Sequence, residues 1–157
     1  MTIHGEMRPG ARPKSERGFT LIELLMVVMI LGVLAAIVIV QLQNALDRGK
    51  QRGSMADMRT VAMALETYRT DVDHYPTNGL TIDQLASVLI PYQTSVLHTQ
   101  DHWLHDYGYS YDGLEAYSVE SYGKDGIDGS EISHATRDQF DLDLVISNGL
   151  FTASPES

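Results

Sequence analysis

One carboxylate stands inside an otherwise apolar run. In "GFTLIELLMVVMILGVLAAIVIVQ", residues 18–41, Glu23 is the sole charged residue. Placing a carboxylate in hydrocarbon costs roughly 2.5–3.5 kcal/mol or more, so such a residue ordinarily marks a function. A helix dipole would also favour a negative charge near the start of the run. Two further groups have chemistry to offer. His98, His102 and His105 recur at spacings of four and three in "LHTQDHWLHDY", which on one helix face would suit zinc. Trp103 and Tyr107 in the same stretch point instead to an irregular or strand segment with solvated histidines. Asp125 and Asp128 in "GKDGIDG", with Asp141 and Asp143 in "QFDLDL", form an acidic group near the C-terminus. Read alone, the Asp-Gly pairs make turns and the alternating aspartates make a solvated strand face. No Ser/His/Asp nucleophile arrangement, glycine-rich phosphate loop or HExxH motif occurs, so enzymatic function is not expected.

The 157 residues suffice for one modest domain and an appendage, and the absence of cysteine rules out disulfides and thiolate metal sites. The net charge of −10 is unevenly spread. Residues 1–18 carry Arg8, Arg12, Lys14 and Arg17 against Glu6 and Glu16, and residues 47–69 are also net basic. From Asp71 onward only Lys124 and Arg137 oppose fifteen acids, a net of −13. Such a surface repels phosphate, which argues against nucleic-acid binding, and it permits cation binding.

The elements that must position these groups follow from periodicity. Residues 19–40 are long enough to cross a bilayer as a helix. A secretory signal has a shorter apolar core, so a retained membrane helix is expected. Four Lys/Arg precede the span and four follow within twenty residues, so charge counting leaves its orientation open. Beyond Val40 the pattern becomes half-polar. Met55, Met58, Ala62, Leu65 and Tyr68, thickened by Val61 and Val72, form a helical stripe. A continuous helix from about Phe19 to Val72 would be roughly 80 Å long. Residues 75–157 hold too little apolar material for an independent core and need that stripe. "YPTNGLTIDQLASVLIPY" reads as a turn and a short helix ended by Pro91, with Leu85, Val88 and Leu89 inward. "YGYSY" and "EAYSVESY" flank Asp112-Gly113 as a hairpin. "QFDLDLVI" alternates, with Phe140, Leu142, Leu144 and Ile146 on one face and Asp141 and Asp143 on the other.

The stretch "RGFTLIELLMVVMILGVLAAIV" resembles the class III signal of type IV pilins and type II secretion pseudopilins. That resemblance implies a leader, residues 1–18, cut between Gly18 and Phe19 by a prepilin peptidase that also N-methylates Phe19. It implies a cytoplasmic N-terminus, an inner-membrane span over 19–40 and a periplasmic head. Phe19 and Glu23 are one helical turn apart, so the new amine and the carboxylate share a face. The resemblance makes Glu23 a register-setting partner for that amine in a filament. Where the family commonly has a proline stands Val40, so no kink is expected there.

The head resembles the major pseudopilin of type II secretion, the general secretion protein G family. The matching pieces are "YPTNGL" (75–80), Asp101 and Trp103, "SYGKDG" (121–126), and Asp143-Leu144. The resemblance implies calcium in a loop over 121–143, with Asp125 as first ligand, carbonyls from Tyr122 and Ile127, and Asp141 or Asp143 as the later acid; Asp128 is a local addition. Mixed carboxylates and carbonyls suit that ion. The expectation is an α+β fold: a long N-terminal helix, amphipathic over 41–74, packed on a small antiparallel sheet in a head over 75–157. The implied role is a homo-oligomeric helical filament that works with minor pseudopilins and an inner-membrane secretion platform. A type IV pilus subunit and a monomeric membrane-anchored calcium-binding or ligand-binding module are the alternatives.

Overall fold

The computed structural model describes residues 18–93, 96–129 and 139–155. Helix α1, Leu21–Val72, contributes to two compact units divided at Ile39/Val40. In the first unit the side chains of residues 18–39 are all exposed, and the helix is long and apolar enough to cross a membrane. The expected leader, apart from Gly18, lies outside the described residues.

The second unit is an α+β head built on the rest of α1. Ser54, Met58, Val61, Ala62 and Leu65 are buried at helical spacing, and this face meets the rest of the head. It joins Tyr75, Ile82, Leu85, Leu89, Tyr107, Tyr117, Val119, Leu144 and Ile146 in one core. Helix α2, Ile82–Leu89, opens with a capping box between Thr81 and Gln84. It buries Ile82, Leu85 and Leu89, while Val88 is exposed, contrary to the expectation for it. Eight residues make about two turns, and at 100° per residue one face accommodates positions 82, 85 and 89 but not 88. A short 3-10 turn, Ile90–Tyr92, carries Pro91.

Four antiparallel strands lie in sequence order: β1 (Gly108–Tyr111), β2 (Tyr117–Ser121), β3 (Leu144–Ser147) and β4 (Leu150–Ala153). The expected tyrosine hairpin is β1–β2, with Tyr111 opposite Tyr117. The alternation read from Phe140 is shorter than expected. Strand β3 begins at Leu144, and Asp143 and Leu144 are both buried, so Asp143 does not sit on a solvated face. The cause is local pairing. Phe140 O accepts from Lys124 N at 2.7 Å and Gln139 O from Gln51 Nε2 at 3.5 Å, so the start of this run pairs with the 124 turn and α1 rather than with the sheet. Strand β4 adds to the expected set. Asn148 and Gly149, at φ of 48° and 77°, turn the chain into it.

Candidate functional site

At the start of α1, Glu23 closes a capping box. Its Oε2 accepts from Thr20 N at 2.8 Å and from Thr20 Oγ1 at 2.9 Å, while Glu23 N donates to Thr20 Oγ1 at 3.3 Å. Thr20 precedes the helix and Glu23 is its third residue, so two otherwise orphaned N–H groups are satisfied reciprocally. Phe19 is 87% exposed. The apolar run is thus a capped helix whose one carboxylate is oriented back toward its own first residues.

The acidic group forms around the turn after β2. Gly126 N donates to Tyr122 O at 3.1 Å, and Ile127 N to Asp125 Oδ1 at 3.1 Å. Asp125, Ile127 and Asp141 are exposed. Asp143 is 2% exposed and its Oδ2 accepts from Gly129 N at 3.1 Å. Carboxylate oxygens of Glu120, Asp128 and Asp143 lie within 4.8 Å of one another. Oxygen ligands around Ca²⁺ sit at ~2.3–2.6 Å from the ion, so opposite ligands are up to about 5 Å apart and this hard-oxygen set fits it. Of the sequence-read residues, the structure gathers Asp128 and Asp143. Asp125 and Asp141 are not in the cluster. The Tyr122 hydroxyl is beside it: burial raises its pKa, and Glu120, Asp128 and Asp143 add to the rise.

Glu120 is a member that spacing along the chain does not reveal. It lies opposite Val145 in the β2–β3 register, and Asp143 is two residues before Val145. Both side chains therefore leave the same side of the ladder, a relation visible once the two strands are paired.

Polar side chains hold this turn on the head and on α1. Asp101, 3% exposed, accepts from Trp103 N (2.8 Å) and His105 N (2.9 Å) at Oδ1 and from Ser121 Oγ (2.8 Å) at Oδ2. His105 Nδ1 donates to Gly123 O at 2.9 Å. Lys124 Nζ donates to Asp47 Oδ2 at 2.8 Å, and Trp103 Nε1 to Asp47 Oδ1 at 3.4 Å. The Lys124 ammonium holds the Asp47 carboxyl below the usual range, outweighing the opposite pull of burial. The three histidines do not share a helix face. His102 Nδ1 and His98 Nδ1 lie 3.5 and 4.0 Å from Asp57 Oδ2, whereas His105 is at Gly123.

Known proteins resemble both parts of the chain. The family model for the prokaryotic N-terminal methylation motif matches residues 13–39, and that for type II secretion system (T2SS) protein G matches residues 41–137. A type II secretion system core protein G of Escherichia coli is 32% identical over 126 residues, covering 74% of this chain and 87% of that protein. One from Klebsiella michiganensis is 28% identical over 130 residues, 76% of this chain and 92% of the relative. One from Pseudomonas aeruginosa is 37% identical over 73 residues, 46% and 51% of the two chains. No solved structure gives a significant match. With a methylation motif over the apolar helix and the second match reaching across most of the head, the chain belongs to the type II secretion system protein G family.

Proposed function

We propose that this chain is a structural, non-enzymatic subunit of a type II secretion pseudopilus, stored in the inner membrane and polymerised through α1 into a helical filament. Prepilin peptidase cuts between Gly18 and Phe19 and methylates Phe19. The N-terminus then lies in the cytoplasm and the head in the periplasm, where the filament meets minor pseudopilins and the secretion platform. The observation that carries this reading is the Thr20–Glu23 capping box at the head of an exposed apolar helix. Cleavage creates a Phe19 amine with an ordinary pKa of ~7.7–8, cationic at neutral pH, one residue before the box. A carboxylate has about four acceptor sites, so Glu23 retains capacity for that amine in its own chain or the next.

Capping and charge pairing separate by substitution. Gln at the third helical position retains the reciprocal hydrogen bond and removes the charge, whereas Ala removes both. Glu23→Ala and Glu23→Gln are expected to be cut and membrane-inserted, with filament yield abolished in Ala and reduced at least about tenfold in Gln, the equivalent of ~1.4 kcal/mol per contact. Electron microscopy of sheared filaments reads the yield. Wild-type yield from Glu23→Gln would reduce Glu23 to a helix cap.

For the head, we propose calcium bound by Glu120, Asp128 and Asp143, with the turn of Tyr122, Asp125 and Ile127 shaped around it. The ion would supply positive charge among converging carboxylates and tie β2, its turn and the approach to β3 together. In a chain without cysteine it stands where a disulfide staple would otherwise serve.

A further inference from the structure

Asp57, on the head part of α1, holds a carboxylate oxygen with nothing to satisfy it. Its Oδ2 is shut off from water and accepts no hydrogen bond among the described residues. A buried acceptor left in this way is costly, and more so when it carries charge. A neighbouring hydroxyl is committed elsewhere: that of Tyr107 donates to Ser54 O at 3.4 Å. Burial raises the pKa of this hydroxyl and the Asp57 charge raises it further, a sign of how near the carboxylate stands.

Two imidazoles face the same oxygen from the loop ahead of β1. His102 Nδ1 is 3.5 Å from Asp57 Oδ2, and His98 Nδ1 is 4.0 Å from it. The backbone of His102 is held in place, since its N–H donates to Ser54 Oγ at 3.0 Å. The turn that follows is closed by bonds from Asp101 N to His105 O at 2.8 Å and from Leu104 N to Asp101 O at 3.0 Å. The His102 ring lies on α1 at Gly53, where an added Cβ would collide with Nε2, Cε1 and Cδ2. Those atoms rest on the helix, and Nδ1 is the nitrogen left turned to Asp57. Glycine in a helix interior is unfavourable, so a position where any side chain would displace this ring gives it a reason to be there. Gly53, Ser54 and Asp57 thus offer His102 a cradle, a backbone anchor and a carboxylate within about one turn of α1. His98 stands on the solvent side with its side chain 60% exposed, and its ring has room to turn.

We propose that Asp57, His98 and His102 bind a divalent transition metal ion of the zinc class through Asp57 Oδ2 and the two Nδ1 atoms, with water in the fourth position. Ligand atoms on a tetrahedral ion with bonds of ~2.0–2.2 Å stand about 3.4 Å apart. The His102–Asp57 separation matches that spacing, and the His98 separation exceeds it slightly. Imidazole nitrogens suit zinc, copper or nickel and set this site apart from the all-oxygen cluster of Glu120, Asp128 and Asp143. The ion satisfies the stranded oxygen and ties the loop ahead of β1 to α1. This reading is independent of the filament and of calcium.

The full chain, purified in detergent with a histidine-free tag and stripped with EDTA, is titrated with Zn²⁺ at pH 7 by calorimetry in excess Ca²⁺. One equivalent is expected to bind and to raise the melting temperature. Asp57→Asn, His98→Ala and His102→Ala are each expected to weaken binding at least about tenfold. Gly53→Ala keeps all three ligands, and it is expected to weaken binding by a similar factor because it displaces the His102 ring. Far-UV circular dichroism of the metal-free variants checks that each is folded. Failure of the wild-type chain to bind Zn²⁺ would overturn the site. Wild-type affinity in a folded His98→Ala/His102→Ala double variant would place the ion elsewhere and overturn it too. A metal-free chain that gains stability on acidification but is indifferent to Zn²⁺ would show that protonated imidazoles answer Asp57, and would also refute the metal.

Discussion

Single side chains of this molecule show how far residue type anticipates role. Glu23 is conspicuous because lipid and charge are incompatible, and its oddity is readable without any structure. Asp47 is inconspicuous in the sequence, yet it is 8% exposed and bridges Lys124 and Trp103. Nothing about an aspartate seven residues past the apolar run marks it, because its partners are 77 and 56 positions away. The pair has a defined pH window. Asp47 is depressed, so its contribution is present above an unfolded pKa of ~3.9 and is lost as pH falls through the lower folded value. Lys124 is raised by Asp47, so its contribution is present below ~10.4 and is lost as pH rises through the higher folded value. Asp47→Asn is expected to lower the melting temperature at pH 7 and to differ less and less from wild type below about pH 4. Melting curves from pH 3 to pH 8 measure it, and a constant difference across that range would mean that packing against Trp103 matters more than the charge.

At the level of elements, periodicity was sufficient where one face is buried and partners are near in sequence. The α1 stripe, α2 and the β1–β2 hairpin satisfy that condition. The alternating run read from Gln139 does not ahead of β3, since Gln139 and Phe140 answer to Gln51 and Lys124 rather than to the sheet. Strand β4 carries its own signal in Asn148-Gly149, the commonest short hairpin pair, but its four residues alternate too weakly to stand out alone. The contact between the 123–124 turn and residues 140–142 is close enough to test. Gly123 has φ of 62°, and a Cβ there would lie 2.8 Å from the carbonyl oxygens of both Phe140 and Leu142. Those are backbone atoms, so they cannot step aside as a side-chain end would. Gly123→Ala combines ~1 kcal/mol of left-handed strain with ~1–3 kcal/mol of overpacking. The expected outcome is a fall in melting temperature of roughly 10 °C, whereas Gly113→Ala, with open space around it, costs only the backbone strain. Equal losses at the two glycines would show that the turn and the 140–142 segment do not press together.

For the whole molecule the governing fact is charge placed where it must be compensated. A head with net −13 from Asp71 onward folds while bringing Glu120, Asp128 and Asp143 within 4.8 Å of one another. Like charges that close destabilise the folded state unless a proton or a cation intervenes. Calcium there would make stability rise with the ion at constant pH. The full chain in detergent, stripped with EGTA and titrated with Ca²⁺ at pH 7, tests this. At a free concentration about a hundred times Kd, one site contributes ~2.7 kcal/mol, which corresponds to a rise of roughly 10 °C in melting temperature. Asp143→Asn is expected to abolish that rise. Asp125→Asn, at an exposed residue outside the cluster, should retain most of it, since the amide oxygen still accepts from Ile127 N and only the charge is lost. Mg²⁺ should be a poor substitute, because it holds its waters and requires a tighter octahedron. A wild-type chain whose melting is indifferent to Ca²⁺ and EGTA would leave Asp143 as the cap of the Gly129 turn and remove the metal from the forces that hold the head together.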